Sequence, residues 1–286
     1  LSLMLLSATL LYVVEGDLNV AVKGQLVIYS ITGGTMLYGD YIQRAKNLDL
    51  TQKYVPLPRR PDDAFAKAKD DLNGLQLPSL DSLEGWDSVV ERKLVVRPLK
   101  RGSEYAVSVE LSGRSRGKRH KEVRNLYRIS FVTSDDMDLE VWRNNYANSF
   151  WDEEAEAPSI QEARDCISVE VYWEDDDLED LELFLRVTNT LMDNFTEILT
   201  SVDSDMLRTN IRKVLMEMGG LPFKSGSGAW FIPNYSDEPE HLTELENYSS
   251  LLNHYGDSNA LTRSSDDTYL DQEGKPRKWY RQKSNL

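Results

Sequence analysis

Apolar positions recur with two different periods along this chain, and the change of period divides it. From Glu91 to Trp142 the spacing is two: Leu94, Val95 and Val96, then Tyr105, Val107, Val109 and Leu111, then Val123, Leu126, Tyr127, Ile129 and Phe131, then Leu139 and Val141. Such alternation turns one face of each segment to a core and predicts an antiparallel meander. Cys166 to Trp173 adds a further strand. From Leu178 the step becomes three and four, through Leu181, Phe184, Leu185, Thr188, Leu191, Met192, Phe195, Ile198 and Leu199 to Val202. That stripe predicts a long helix whose apolar face must be covered.

Punctuating residues bound the remaining elements. Leu18 to Ile31 reads as strands around a turn at Lys23-Gly24, stopped by Gly33-Gly34. Thr35 is placed to cap a helix to Leu48 that presents Met36, Leu37, Tyr41, Ile42 and Ala45. Pro56, Pro58 and Pro61 make the next connector extended. Pro61-Asp62-Asp63 then opens a helix that stops at Asn73-Gly74, and residues 75–88 read as a loop. Asp203-Ser204-Asp205 caps a second C-terminal helix with Leu207, Ile211, Val214, Leu215 and Met218, ended by Gly219-Gly220; the short connection favours an antiparallel helical pair. Leu221–Phe223 and Ala229–Ile232 form a hairpin about Ser225–Gly228, with Pro233 as its stop, Trp230 and Ile232 on one face and Phe231 on the other. Asp237 and Glu240 make a capping-box pattern for a last helix that Gly256 ends.

The fold class these elements predict is α+β: a central antiparallel sheet with an N-terminal strand and helix unit, and a C-terminal helical hairpin, β-hairpin and final helix. The corresponding regions are a strand and helix unit over 1–88, the sheet over 89–173, the helical and hairpin region over 174–256, and a polar tail over 257–286. The apolar stretch Leu1 to Val14 has no basic leader and meets Glu15 short of the ~20 residues a membrane span needs, so it is assigned to the fold, with no membrane partner.

Composition narrows the chemistry. A formal charge of −15 over 286 residues disfavours general polyanion binding unless cations are concentrated locally. They are: Arg114, Arg116, Lys118, Arg119, Lys121, Arg124 and Arg128, with His120, stand against Glu122 alone, while Asp135 to Glu182 holds eighteen acidic residues against Arg143 and Arg164. The single cysteine, Cys166, fits a reducing, cytoplasmic compartment and, with acidic neighbours, an inert buried thiol. His120, His241 and His254 show no metal-ligand spacing, and no phosphate-binding glycine loop, nucleophile elbow or zinc-helix motif occurs.

Two stretches together resemble a family of functionally uncharacterised proteins of phages, bacteria and archaea. One runs from Gln25-Leu26-Val27-Ile28-Tyr29-Ser30 and Gly33-Gly34 to Leu57-Pro58 and Pro61-Asp62-Asp63-Ala64-Phe65-Ala66-Lys67-Ala68. The other is Gly226-Ser227-Gly228-Ala229-Trp230-Phe231-Ile232-Pro233, similar to a G-G-x-Y-F-V-P signature, with Trp230 for the tyrosine and Ser227 between the glycines. The resemblance covers roughly residues 18–256 and implies a phage or mobile-element setting, without a mechanism.

The reading is a non-enzymatic interaction protein that contacts a protein partner, another copy of itself or nucleic acid through segregated charge. Arg114, Arg116, Lys118, Arg119, Lys121 and Arg124 are the binding candidates, at a β-hairpin tip with Tyr127 or Tyr105 for base stacking. A solvated loop balancing neighbouring acids is the competing explanation. The alternative is a metal-dependent nucleic-acid-processing enzyme that holds Mg²⁺ on Glu170, Glu174, Asp175 and Asp176. No other cofactor is predicted.

Overall fold

The computed structural model describes residues 2–14, 18–31, 33–81, 83–99, 104–135, 137–171, 178–224, 228–234, 241–263, 268–270 and 276–278. In chain order the first elements are β1 (Ser2–Val14), β2 (Leu18–Ser30), β3 (Thr35–Leu37), α1 (Tyr38–Asn47), α2 (Pro61–Leu72), β4 (Gln76–Leu80), β5 (Val90–Pro98), β6 (Glu104–Ser115) and β7 (Lys118–Phe131). There follow α3 (Leu139–Asn148), α4 (Ile160–Asp165), β8 (Ile167–Val171), α5 (Leu178–Thr200), β9 (Ser201–Asp203), α6 (Ser204–Glu217), β10 (Leu221–Pro222), β11 (Ala229–Pro233), α7 (Leu242–Arg263), β12 (Thr268–Leu270) and β13 (Pro276–Lys278). The chain is a mixed α+β protein whose main sheet is antiparallel and five-stranded. It forms two compact units: Leu57–Thr200, and Leu1–Pro56 together with Ser201–Leu286. The compact units therefore do not follow chain order.

In the unit Leu57–Thr200, the strands run β4-β5-β6-β7-β8, each antiparallel to its neighbour. Register places Leu94, Val107, Val109, Tyr127 and Ile129 on one face, with a bulge at Leu126. Phe65 of α2 lies 6.2 Å from Tyr105 and 5.6 Å from Phe131, and Phe184 of α5 meets Tyr127 edge-on at 5.4 Å. Those helices cover the apolar face, which is what the period-two pattern requires. On the other face Arg128 bridges Glu104 at 3.3 Å and Glu170, and Ser108 donates to Asn125 at 2.8 Å.

Two segments of this unit differ from the sequence pattern. Leu139 and Val141 begin α3 rather than a strand, because the Asp138 carboxylate caps the helix, accepting from the backbone N–H of Glu140 at 2.8 Å and of Val141 at 3.1 Å. Residues expected as a loop supply β4: the Leu94 N–H reaches the Leu75 carbonyl at 2.9 Å, and Leu77 is buried. Pro78 and Ser79 interrupt the register there, which hid the strand.

The other unit contains a sheet ordered β1-β2-β11-β10 and a small pair, β3 with β9. The apolar opening pairs with β2 along its whole length, from Ser2 opposite Ser30 to Val14 opposite Leu18. No turn interrupts β2 at Lys23-Gly24. Gly24 lies opposite Pro233 of β11, where a Cβ would overlap the Ile232 carbonyl oxygen and the Phe231 ring. Its glycine answers a close approach of backbones, a need that sequence does not distinguish from a turn. Thr35, expected as a helix cap, is the first residue of β3, and α1 starts after Leu37 with no side-chain cap. Val202, assigned to the long helix by periodicity, pairs with Met36 in β9.

Around this sheet, α1 buries Tyr38, Tyr41, Ile42 and Ala45; α6 buries Leu207, Ile211, Val214 and Leu215; α7 buries Leu245, Tyr248, Leu252 and Tyr255. The tyrosines give this core polar anchors. Asn210 donates to the Tyr248 hydroxyl at 3.2 Å, Tyr255 donates to the Gly34 carbonyl, and Tyr54 donates to Glu244 at 2.6 Å. Asp203 caps α6 through the N–H groups of Asp205 and Met206, each at 3.0 Å, and Gly219 closes it at φ 75°. Helix α7 runs through Gly256, the expected stop, to Arg263, and β12 pairs with β13 within the stretch read as a polar tail. The Asp237–Glu240 capping pattern lies outside the described residues.

Candidate functional site

The basic run folds into the distal half of the β6–β7 ribbon. Ser115 and Lys118 close its end through Arg116 and Gly117, whose φ values of 50° and 72° are both positive, as a two-residue type I′ hairpin demands. A right-twisted ribbon accepts that turn without splaying. The preceding loop braces it: the Gly117 N–H donates to Asp87 at 2.7 Å, the Asp87 N–H to the Arg114 carbonyl at 2.7 Å, and the Ser115 hydroxyl to the Gly85 carbonyl at 2.6 Å. Strand β8 pairs only with Tyr127–Phe131, so the distal half of β7 has β6 on one side and, among the described residues, no strand on the other.

Alternation divides the cations between both faces of this ribbon. Arg114 lies opposite Arg119, and Ser112 opposite Lys121, on one face; Lys118, His120 and Arg124 occupy the other, with Arg116 at the turn. All six candidate cations are exposed. Lys121 is held 2.6 Å from Glu110, which also takes Lys93 at 2.9 Å. These contacts, the Lys121 hydrogen bond first, hold the Glu110 carboxyl below the usual range. Arg114, Arg116, Lys118, Arg119 and Arg124 make no ion pair among the described residues. Five side chains of one sign therefore keep their charge unspent on a braced element.

The two tyrosines named for stacking pack into the covered face of the sheet. Tyr127 is fully buried against Phe184, and burial pushes its hydroxyl pKa up; Tyr105 packs against Phe65. The aromatic at the ribbon is Trp86, whose ring lies 4.8 Å from His120 and beside Gly113. Trp86 stands in a segment without periodicity, so nothing in the pattern marked it; the turn residues Glu84-Gly85 just before it were the available signal.

Of the four carboxylates proposed for a metal, Glu170 pairs with Arg128, and Glu174, Asp175 and Asp176 lie outside the described residues. Among the described residues no three His, Cys, Asp or Glu side chains converge as metal ligands. No described helix is long and apolar enough to cross a membrane.

Parts of the two stretches that carry the family resemblance pair as neighbouring strands in the unit formed by Leu1–Pro56 and Ser201–Leu286. Ala229 to Pro233 pairs with Ile28 to Gly24, and the Tyr29 N–H donates to the Gly228 carbonyl at 2.8 Å. Trp230, Phe231 and Ile232 are all buried, so β11 is covered on both faces. A family model described as a family of unknown function (DUF6744) matches residues 22–262, a span containing both stretches. No curated protein and no solved structure matches the chain.

Proposed function

The chain belongs to DUF6744, a family of unknown function, and from the geometry we propose a non-enzymatic interaction protein whose β6–β7 ribbon engages nucleic acid. The observation carrying this reading is the division of unpaired cations between both faces of one braced ribbon. A two-stranded ribbon fits the major groove of a duplex, where phosphates stand on both walls, so cations on both faces meet charge on both sides. Trp86 adds an aromatic surface suited to an unpaired base. The chain as a whole has a net charge of −15 despite these cations, so the rest of it repels phosphate and contact is confined to the ribbon.

The test is fluorescence anisotropy with labelled duplex and single-stranded oligonucleotides over a salt series. Binding is expected at low salt, with log affinity falling linearly in log salt by about 0.9 for each phosphate neutralised. Replacing Arg114, Arg116, Lys118, Arg119 and Arg124, the five without an ion pair among the described residues, with glutamine should abolish it while leaving the melting temperature in place. No binding to either oligonucleotide at low salt rejects nucleic acid as the partner. Capture of an acidic polypeptide in its place would assign the ribbon to a protein, and failure of both leaves the cations as guards of an open strand edge.

A further inference from the structure

We infer that the form of nucleic acid the β6–β7 ribbon takes is a junction, a duplex that continues as an unpaired strand, with Trp86 as the platform for the first unpaired base. The inference rests on the reading of the ribbon as a nucleic-acid surface and names the form that both of its faces fit.

Trp86 has a built seat on the ribbon. At Gly113, in the run of β6, a Cβ would stand 3.0 Å from Trp86 Cε3 and 3.2 Å from Cζ3 and from the Val89 carbonyl oxygen. Gly113 does not have a positive φ, so the glycine answers the close approach of the indole and its loop. His120, the register partner of Gly113, meets the same indole with ring centroids 4.8 Å apart and planes at 59°. The segment around Trp86 is tied down: its N–H donates to the Leu83 carbonyl at 3.0 Å, the Asp87 N–H to the Arg114 carbonyl at 2.7 Å, and the Arg114 N–H to the Ser88 hydroxyl at 3.0 Å. Trp86 is nevertheless only half-buried, so the seat leaves part of it in contact with solvent. An aromatic held in place in this way stacks a base with little further ordering.

The two faces of the ribbon offer different chemistry. Arg114, Arg119 and Lys121 lie on one, beside Ser112 and Val123, with Glu110 held between Lys93 and Lys121. That face suits phosphates alone. Trp86 lies over the other, among Lys118, His120, Arg124 and the exposed carboxylate of Glu122. A cation, an indole and a carboxylate match three parts of one unstacked nucleotide: its phosphate, its ring and an exocyclic amine. A blunt duplex brings phosphates to both faces but keeps its bases stacked, which leaves the indole unused. A single strand presents bases with one line of phosphates, which leaves one face of cations unused. A duplex that runs on into an unpaired strand meets both faces.

Fluorescence anisotropy on the full chain tests this with labelled probes of one sequence: a blunt duplex, its single strand, and the duplex with a short unpaired overhang of either polarity. The better overhang duplex should bind about tenfold more tightly than the blunt duplex or the single strand, the order of effect that stacking one base supplies. With 5-iodouracil at the first unpaired position, irradiation should crosslink the probe to Trp86 or to His120 against it, as mass spectrometry of the digested complex reads. Trp86→Ala should bring the overhang duplex down to the affinity of the blunt one, while leaving the blunt duplex and its salt slope unchanged; Trp86→Phe should keep most of the preference. Where Trp86→Ala does not fold, the comparison of probes on the parent chain decides. Equal affinity for blunt and overhang duplexes overturns the junction, as does a single strand that binds as tightly as the overhang duplex. Crosslinking to other residues, or a Trp86→Ala that weakens all probes alike, overturns Trp86 as the platform and makes it a brace of the ribbon. Absence of binding to every probe at low salt is a separate failure, which removes the nucleic-acid reading itself.

Discussion

The β2–β11 pair and the β6–β7 ribbon are both antiparallel two-strand contacts, yet side chains serve them in opposite ways. In β2–β11 the backbones approach so closely that Gly24 and Gly228 leave no room for a Cβ, and Trp230, Phe231 and Ile232 are buried on both faces. In β6–β7 the distal half keeps both faces wet, and its φ-positive turn is braced by a neighbouring loop. The first arrangement fixes position through steric fit and tolerates no change of volume. The second fixes position through ladder hydrogen bonds and a few bonds to the bracing loop, Asp87 and Ser115 among them, which leaves five of its cations without an ion pair among the described residues. A recognisable motif and a concentration of exposed charge can thus occupy different strands of one protein, and the motif here is buried structure.

The comparison breaks most sharply at Gly24. Gly24→Val should cost about 3 kcal/mol or more, because backbone rather than a flexible side chain stands where the new group would go; urea unfolding measures it. The corresponding ribbon change, glutamine at Arg114, Arg116, Lys118, Arg119 and Arg124, should alter the unfolding free energy by less than about 0.5 kcal/mol and remove oligonucleotide binding. Neutralising one face at a time sharpens this further. Arg114→Gln with Arg119→Gln, and separately Lys118→Gln with Arg124→Gln, should each lower the salt slope by about two; a slope that responds to only one face would reduce the ribbon to a one-sided contact. A loss smaller than that of Gly24→Val is expected at the α6 cap, where Asp203→Ala should cost about 1 kcal/mol of unfolding free energy, read from thermal unfolding.

The smallest effect is acid-dependent. The Tyr54 hydroxyl, then Lys53, holds the Glu244 carboxyl below the ordinary carboxylate value despite partial burial. A folded pKa below the unfolded one contributes stability that is complete above the unfolded value, near ~4.3, and is lost as pH falls through the folded value. Tyr54→Phe should raise the Glu244 pKa in a carboxyl NMR titration, and its stability deficit relative to the parent should be larger at neutral pH than in acid. The side chain is half exposed, so the electrostatic part stays below about 1 kcal/mol.

Sequence revealed most where one physical demand acted alone. The strands β5, β6 and β7 follow a period of two because one sheet face is covered by α2 and α5 and the other is polar. Helices α2 and α6 announce themselves through Pro61, Asp203 and Gly219, whose roles are local. Where two demands share one signal, reading fails. Gly24 looks like a turn because close backbone approach and positive φ both select glycine, and the strand that crowds it comes from the far end of the chain. Leu139 and Val141 alternate like a strand but follow a capping Asp138. At the candidate site the charge run was visible, while its division between faces depended on register with β6. The pairing of Glu170 with Arg128 and the placing of Trp86 against His120 are tertiary facts without a local pattern.

The split of one compact unit between the two ends of the chain sets an order of events during synthesis. At typical translation rates, the wait between the emergence of Gln25–Tyr29 and of Ala229–Pro233 is roughly ten to forty seconds. Leu57–Thr200 lies wholly within that interval and has every strand partner it needs in its own contiguous stretch. The nascent β2 meanwhile holds one strand edge open to any passing chain. A chain cut short near Thr200 would hold Leu57–Thr200 with all its strand partners and a β1–β2 pair whose second edge lacks β11.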